Sequence, residues 1–290
     1  MKGLEIWRFI DSGAGSASEN MAMDEAILNS CRRNDTSPTL HFYTWKTPSI
    51  TLGYLQDLSS SIQQQRCIDR RIRVVRRITG GRAVVHHGDL SFALIFPAKG
   101  GVIPSGIGGS YRKIAEGFVE GLKLLGIHAS LADGRSLQCG DRKESRHSAA
   151  CFLTRIRSEI LVCGRKLMGS AQRRMDDWVL QQGTIMIDPK KAYWMSLLQY
   201  PDVSDPGKLK KMIESGVTSI QEILGRDLDI GSIKEALVEG LSKALGVRFE
   251  VQSLSAREKK EMISLAGTKY NDLLEGALCS ASNQKEPMVL

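Results

Sequence analysis

Hydrophobic and polar positions change period several times along this chain, and those changes mark out its elements. Glu5 to Ile10 alternates with the two-residue period of a half-buried strand. Ser16 and Ser18 offer N-caps for a helix running to about Arg33, with Met21, Ala22, Ala26, Ile27 and Leu28 on one stripe. Leu40–Tyr43 and Ile50–Gly53 read as short strands around Thr47-Pro48, and a helix is expected from about Leu58 to Arg70. Val74-Val75 and Ala83–Val85 flank Gly80-Gly81, and Leu90–Phe96 is a further strand. The Pro- and Gly-rich stretch 97–110 reads as a loop, followed by a helix from Tyr111 to Leu125 with Ile114, Phe118, Leu122 and Leu125 at helical spacing. Residues 133–149 are polar and read as a mobile loop, leading into Cys151. Glu159–Val162, Lys166–Gln172 and Val179–Ile187 read as a meander of strands. Helices dominate after Lys190, clearest at Ile233–Ala244 and Ala256–Ala266, with a strand at Arg248–Val251 between them and a frayed tail from Ser280. Strands joined by short turns, with helices between groups, predict an α+β fold with a mixed, mostly antiparallel sheet rather than a doubly wound one.

Composition narrows the classes. At 290 residues with 42% hydrophobic positions the chain can bury a real core. No run reaches the apolar length of a membrane span, so no membrane partner is expected. Residues 1–8 contain no apolar signal segment, which predicts a cytoplasmic protein. Six cysteines are scattered with no Cys-x-x-Cys pair, so neither a metal site nor a disulfide framework is expected. The net charge of +8 suits nucleic acid, an anionic membrane or an acidic protein. With 6% aromatic residues and no helix-turn-helix or RNP-like pattern, nucleic acid is disfavoured. An acidic protein partner fits that basic balance.

Chemistry concentrates in two places. Arg76-Arg77-Ile78-Thr79-Gly80-Gly81-Arg82 is polar between two β-type runs. It reads either as a hairpin turn with a solvated basic face or as a backbone that admits a ligand beside arginine forks. The second place is Cys151-Phe152 followed by Gly164-Arg165-Lys166-Leu167-Met168-Gly169-Ser170-Ala171-Gln172. Neither a P-loop nor a dinucleotide fingerprint is present, and Gly106-x-Gly108-Gly109 reads as a flexible loop. A free cysteine is most often a small buried hydrophobe. A cysteine beside a lysine can instead be a nucleophile, provided that its thiol, with an ordinary pKa of about 8.5, is deprotonated. Cys163 reads as core, and Cys31, Cys67, Cys139 and Cys279 are given no role.

Taken together, Arg77-x-Thr79-Gly80-Gly81, Gly164-Arg165-Lys166-x-x-Gly169-Ser170-Ala171-Gln172 and Gln182-Gly183-Thr184-Ile185 resemble the lipoate–protein ligase and octanoyltransferase superfamily. The resemblance also takes in Trp7–Ser12, Asn20–Ala26, Phe42-Tyr43-x-Trp45, Gly53-Tyr54, Thr218-Ser219-Ile220 and Thr268-Lys269-Tyr270, nearly the whole chain. It implies the biotin/lipoate ligase catalytic fold over residues 1–225 with a mainly helical portion over 226–290 packed on it. Within the superfamily, a cysteine before Phe resembles the octanoyltransferases acting on the glycine cleavage H protein. The resemblance then implies Cys151 as the acylated nucleophile and Lys166 as its assistant. It implies substrate contacts from Arg77, Thr79, Gly80, Gly81, Arg82, His86, Gly169, Ser170, Ala171, Gln172, Gly183 and Thr184. The implied donor is octanoyl-acyl carrier protein, the acceptor a lysine of a lipoyl carrier protein, and no cofactor is needed because a thioester is already activated. The alternative is an ATP-dependent lipoate–protein ligase using ATP and magnesium. Arg82 stands where such ligases usually carry a third glycine, which favours the transferase. A non-catalytic carrier-binding or nucleic-acid-binding module is the third reading. Two positions depart from the family pattern: His87, where an aspartate is common, and Gln182, where a histidine is common.

Overall fold

The computed structural model describes residues 4–132, 159–188, 195–200, 203 and 205–275. The stretch 133–149, Cys151 and the tail from Ser280 lie outside the described residues.

Strand β1 (Glu5–Gly15) hands over to helix α1 (Ala17–Arg32) at Ser16. The Ser16 hydroxyl accepts from the Glu19 amide, and the Glu19 carboxylate accepts from the Ser16 amide. This reciprocal cap satisfies two of the donors a helix start leaves orphaned. The helix returns the chain to β2 (Thr39–Trp45), which pairs parallel to β1. The smaller strands follow: β3 (Ser49–Leu52), α2 (Gln64–Asp69), β4 (Arg73–Arg76) and β5 (Val84–His86). They form a separate three-stranded sheet in the order β4-β3-β5, with β3 parallel to β4 and antiparallel to β5.

The glycine segment is therefore not a hairpin. It crosses over β3 to join the two outer strands of the small sheet. The helix expected over 58–70 is likewise shortened to α2. The Asp57 carboxylate accepts from the Ser59 hydroxyl and the Ser60 amide, a local turn that competes with the helix ladder.

β6 (Asp89–Pro97) leads to α3 (Ile107–Leu124), which begins four residues earlier than the sequence pattern indicates. Gly106 is its N-cap, and Gly108-Gly109 lie in its first turn instead of in a loop. β7 (Ser130–Leu131), β8 (Ile160–Val162), β9 (Arg165–Met175) and β10 (Trp178–Met186) come next. The expected meander is present, with β8, β9 and β10 antiparallel in turn. The remaining described elements are α4 (Pro206–Gly216), α5 (Ile220–Leu224), α6 (Ile230–Leu245), β11 (Val247–Val251) and α7 (Ala256–Thr268). The large sheet runs β11-β1-β2-β6-β10-β9-β8-β7, mixed and mostly antiparallel.

Alternation along β6 shows how the layers form. Leu90, Phe92, Leu94 and Phe96 join one core with Ile114, Phe118 and Leu122 of α3 and Leu237 and Leu241 of α6. Ala93 and Ile95 face the opposite way, into a second core with Met21, Ile27 and Leu28 of α1. The small sheet has its own core of Ile50, Leu52, Val74 and Val85. Past residue 225, α6 and β11 belong to these layers, since α6 packs on α3 and β11 pairs with β1. Among the described residues no helix is long and apolar enough to cross a membrane.

Candidate active site

A cavity opens where the α1 face of the large sheet meets the small sheet. Its wall includes Met21 of α1, Tyr43 of β2, Ser91 of β6, and Gln182, Gly183 and Thr184 of β10. Gly169, Ser170 and Ala171 of β9 complete that side, and Thr51, Arg77, Val84 and His86 close it from the small sheet. The cavity is open on one side, and about 40 Å³ of it is free to the centres of water molecules, room for only a few waters. Met21 is unbranched and adapts most readily.

Seven of the sequence-derived contacts line this wall: Arg77, His86, Gly169, Ser170, Ala171, Gly183 and Thr184. Thr79, Gly80, Gly81, Arg82 and Gln172 are not part of it. The Gln172 amide group instead donates to Gln181 at 2.7 Å and to Ser110 at 3.1 Å. Arg77 turns its guanidinium onto its own loop. It donates to the Thr51 carbonyl at 3.0 Å and to the Gly80 and Arg82 carbonyls at 2.7 Å each. The arginine thus fixes the crossover's shape. Gly81 takes a positive φ of +86°, and a Cβ on Gly53 would lie 1.9 Å from the Gly81 carbonyl oxygen. These two backbones touch, which only glycine at position 53 permits.

His86 is stacked on Trp45 at 3.8 Å between ring centres. One ring nitrogen is 2.9 Å from Asp89 and the other 2.9 Å from Thr51. Asp89 thus supplies a carboxylate to this histidine from three residues downstream. Gln182 is equally committed. Its amide nitrogen donates to Asp24 at 2.7 Å, and its carbonyl oxygen accepts from the Thr79 hydroxyl at 2.7 Å. The buried Asp24 also meets His41 at 2.8 Å and the Tyr43 hydroxyl at 2.9 Å, while His41 reaches Ser12 at 2.8 Å. Burial, reinforced by the Asp24 charge, pushes the Tyr43 phenol well above its usual range, so it stays a donor. A continuous hydrogen-bonded chain therefore runs from Ser12 to the Thr79 end of the glycine crossover.

Lys166 reaches the same face through an irregularity. Ile160 pairs with Met168 and Leu161 with Lys166, so β9 carries one extra residue, Leu167, against β8. Leu167 and Met168 consequently both enter the α3-side core. The bulge turns Lys166 to the opposite face, the one occupied by Gly169. A Cβ on Gly169 would lie 2.9 Å from Lys166 Cε and 3.1 Å from its Nζ. The lysine is fully buried and ion-paired with Glu159. Its strand is pinned from behind, since the Thr218 amide donates to the Lys166 carbonyl at 2.9 Å and Arg165 pairs with Glu222 of α5.

Sequence reasoning missed Asp24, His41, Thr51 and Glu159. A signal existed for the first three. Asp24 shares the helical face of Met21 and Leu28, and His41 and Thr51 interrupt apolar strands. Nothing in the spacing signals Glu159, because its meeting with Lys166 depends on the register in which β8 pairs with β9. Among the described residues no group of three or more His, Cys, Asp or Glu is placed to hold a metal.

Residues 16–242 match the lipoyl protein ligase A/B catalytic domain family. The chain is 35% identical to an octanoyltransferase LipM of Carboxydothermus hydrogenoformans, covering 92% of this chain and 97% of that one. It is 36% identical to the octanoyltransferase LipM of Moorella thermoacetica, covering 90% and 94%. Its fold superposes on a bipartite lipoate protein ligase from Thermoplasma acidophilum with a TM-score of 0.73 at 21% identity, covering 91% and 93%.

Proposed function

The chain belongs to the lipoyl protein ligase A/B catalytic domain family and is an octanoyltransferase; we propose that it carries octanoyl from octanoyl-acyl carrier protein to a lipoyl carrier protein through a thioester on Cys151. The observation that supports this route is Lys166, a buried cation that does not itself line the cavity but lies directly against Gly169 of its wall. Cys151 lies outside the described residues, and its role rests on the sequence.

In the first step the Cys151 thiolate attacks the octanoyl carbonyl carbon. A carbon–sulfur bond to Cys151 forms, the bond to the donor's thiol breaks, and that thiolate takes up a proton. In the second step a neutral lysine amine of the acceptor attacks the same carbon. An amide forms, the Cys151 thiolate leaves, and the amine loses a proton. The Lys166 ammonium stabilises negative charge on the carbonyl oxygen in both steps, where a preorganised charge in a dry site acts most strongly. Because thioester is exchanged for thioester and then for the more stable amide, ATP is not required.

The test is intact-protein mass after mixing with octanoyl-acyl carrier protein and no ATP. Wild type should gain one octanoyl group that hydroxylamine removes, and Cys151→Ala should gain none. Peptide mapping should place the adduct away from Cys31 and Cys67, whose thiols burial pushes up to about 12 and about 11. An adduct that appears only with ATP and free acid would favour the ligase route.

A further inference from the structure

Glu159 belongs to none of the motifs above, yet its carboxylate meets the Lys166 ammonium directly. Both side chains are buried, Lys166 at 0% and Glu159 at 5% exposure. A buried cation without a counter-charge would be strongly unfavourable. The backbone fixes Glu159 as firmly as it fixes the lysine. Its carbonyl accepts from the Ala132 amide at 2.8 Å, and the next residue, Ile160, starts β8 and points into the α3-side core. Alternation therefore sends Glu159 to the opposite face. Leu161 shares that face and pairs directly with Lys166, which places the lysine there too, and the bulge at Leu167 brings Gly169 to the same face. Gly169 contributes the third part, leaving open the space that a Cβ would take from Lys166 Cε and Nζ.

We propose that Glu159 is a positioning residue for acyl transfer: it holds the Lys166 ammonium against Gly169 of the cavity wall, in one orientation and with its charge compensated, so that the ammonium is ready for the carbonyl oxygen. This rests on the role given to Lys166 under the proposed function. It adds a requirement that Lys166 alone does not carry, namely that the charge of residue 159 matters and acts only through the lysine.

The experiment is a double-mutant cycle with Glu159→Gln, Lys166→Met and the double variant. Each is read for kcat and KM in octanoyl transfer and for thermal melting. Glutamine keeps the shape of residue 159 and removes its charge. The expected result for Glu159→Gln is a fall in kcat of about 100-fold with KM little changed, the size a misplaced reacting group gives. In the Lys166→Met background the same change should cost nothing further in kcat. Should Glu159→Gln fold poorly, the double variant, which removes both charges, restores folding and still completes the comparison with Lys166→Met. Wild-type kcat in Glu159→Gln, with the kcat of Lys166→Met strongly lowered but measurable, overturns the inference and leaves the lysine's role intact. An equal loss of kcat from Glu159→Gln in both backgrounds also overturns it, since the effect is then structural. Unchanged kcat in Lys166→Met removes the lysine's role itself, and the inference with it.

Discussion

Three glycines in or beside the cavity separate folding from substrate contact. A Cβ on Gly183 would meet the Phe92 ring at 2.3 Å and the Gly169 carbonyl at 2.9 Å. Gly183→Ala should therefore destabilise by about 3 kcal/mol, the upper end for overpacking a core, read as a lowered urea midpoint. A Cβ on Gly169 meets only the end of the Lys166 side chain. Gly169→Ala should melt near wild type and lose most of its kcat, because the displaced group is the ammonium. A Cβ on Gly80 meets no protein atom within 4 Å. Gly80→Ala should leave stability unchanged, and raise the KM for octanoyl donors if the acyl chain passes that backbone, as the sequence motif implies. An unaltered KM would remove Gly80 from the substrate path. The motif showed which residues gather here, but not how they divide. Arg77 was legible as a hydrogen-bonding arginine, yet its guanidinium grips the carbonyls of its own loop. The histidine expected at position 182 is replaced by an amide, which donates to Asp24 and accepts from Thr79 at once. No sequence window contains that geometry, because Asp24, Thr79 and Gln182 meet only after three elements have packed.

At the scale of elements, legibility followed the range of the interaction that sets each boundary. Helix α1 was readable because its start is a local cap, Ser16 with Glu19. The β8–β9–β10 meander was readable because neighbours in sequence are neighbours in the sheet. The path of the glycine crossover was not, since β3 inserts between β4 and β5 from thirty residues upstream. Nor was the bulge at Leu167, an outcome of pairing rather than of local propensity. Helix α7 ties the chain's two ends together by another long-range pair. The Glu258 carboxylate caps α7 with Ser255 and accepts two hydrogen bonds from Arg8 of β1, at 2.9 and 2.7 Å. Burial alone would raise the Glu258 pKa, but the Arg8 bonds and the Ser255 amide outweigh it and the group is lowered. A depressed carboxylate contributes its stability above its unfolded pKa and loses it as pH falls through the folded value. Unfolding midpoints should therefore drop below about pH 4.5, and this portion of the loss should vanish in Glu258→Gln. At neutral pH, Arg8→Met should cost about 3–5 kcal/mol, because it leaves the buried Glu258 charge unpaired.

On the scale of the whole molecule, the proposed route asks a fixed site to serve two protein partners in turn. On that route donor and acceptor both deliver their reacting group on a carrier, so both approach the mouth of one cavity. A net charge of +8 favours encounter with acidic carriers on that route. Charge of this kind acts mainly on encounter and is screened by salt, with a Debye length of about 10 Å at 0.1 M. On the proposed route it does not act on the chemistry beside Lys166, which is buried and whose charge is compensated by Glu159. The two contributions therefore separate by changing the donor. With octanoyl-acyl carrier protein, raising salt from about 50 to about 300 mM should raise KM several-fold and leave kcat nearly constant. With octanoyl-pantetheine, an uncharged donor carrying the same thioester, neither constant should move. Steady-state transfer to a lipoyl carrier protein saturating at every salt concentration gives both readings. A salt effect of equal size for both donors would place the charge dependence in the acyl-transfer step itself, and would mean that the buried Lys166–Glu159 pair is exposed to solvent ions during turnover.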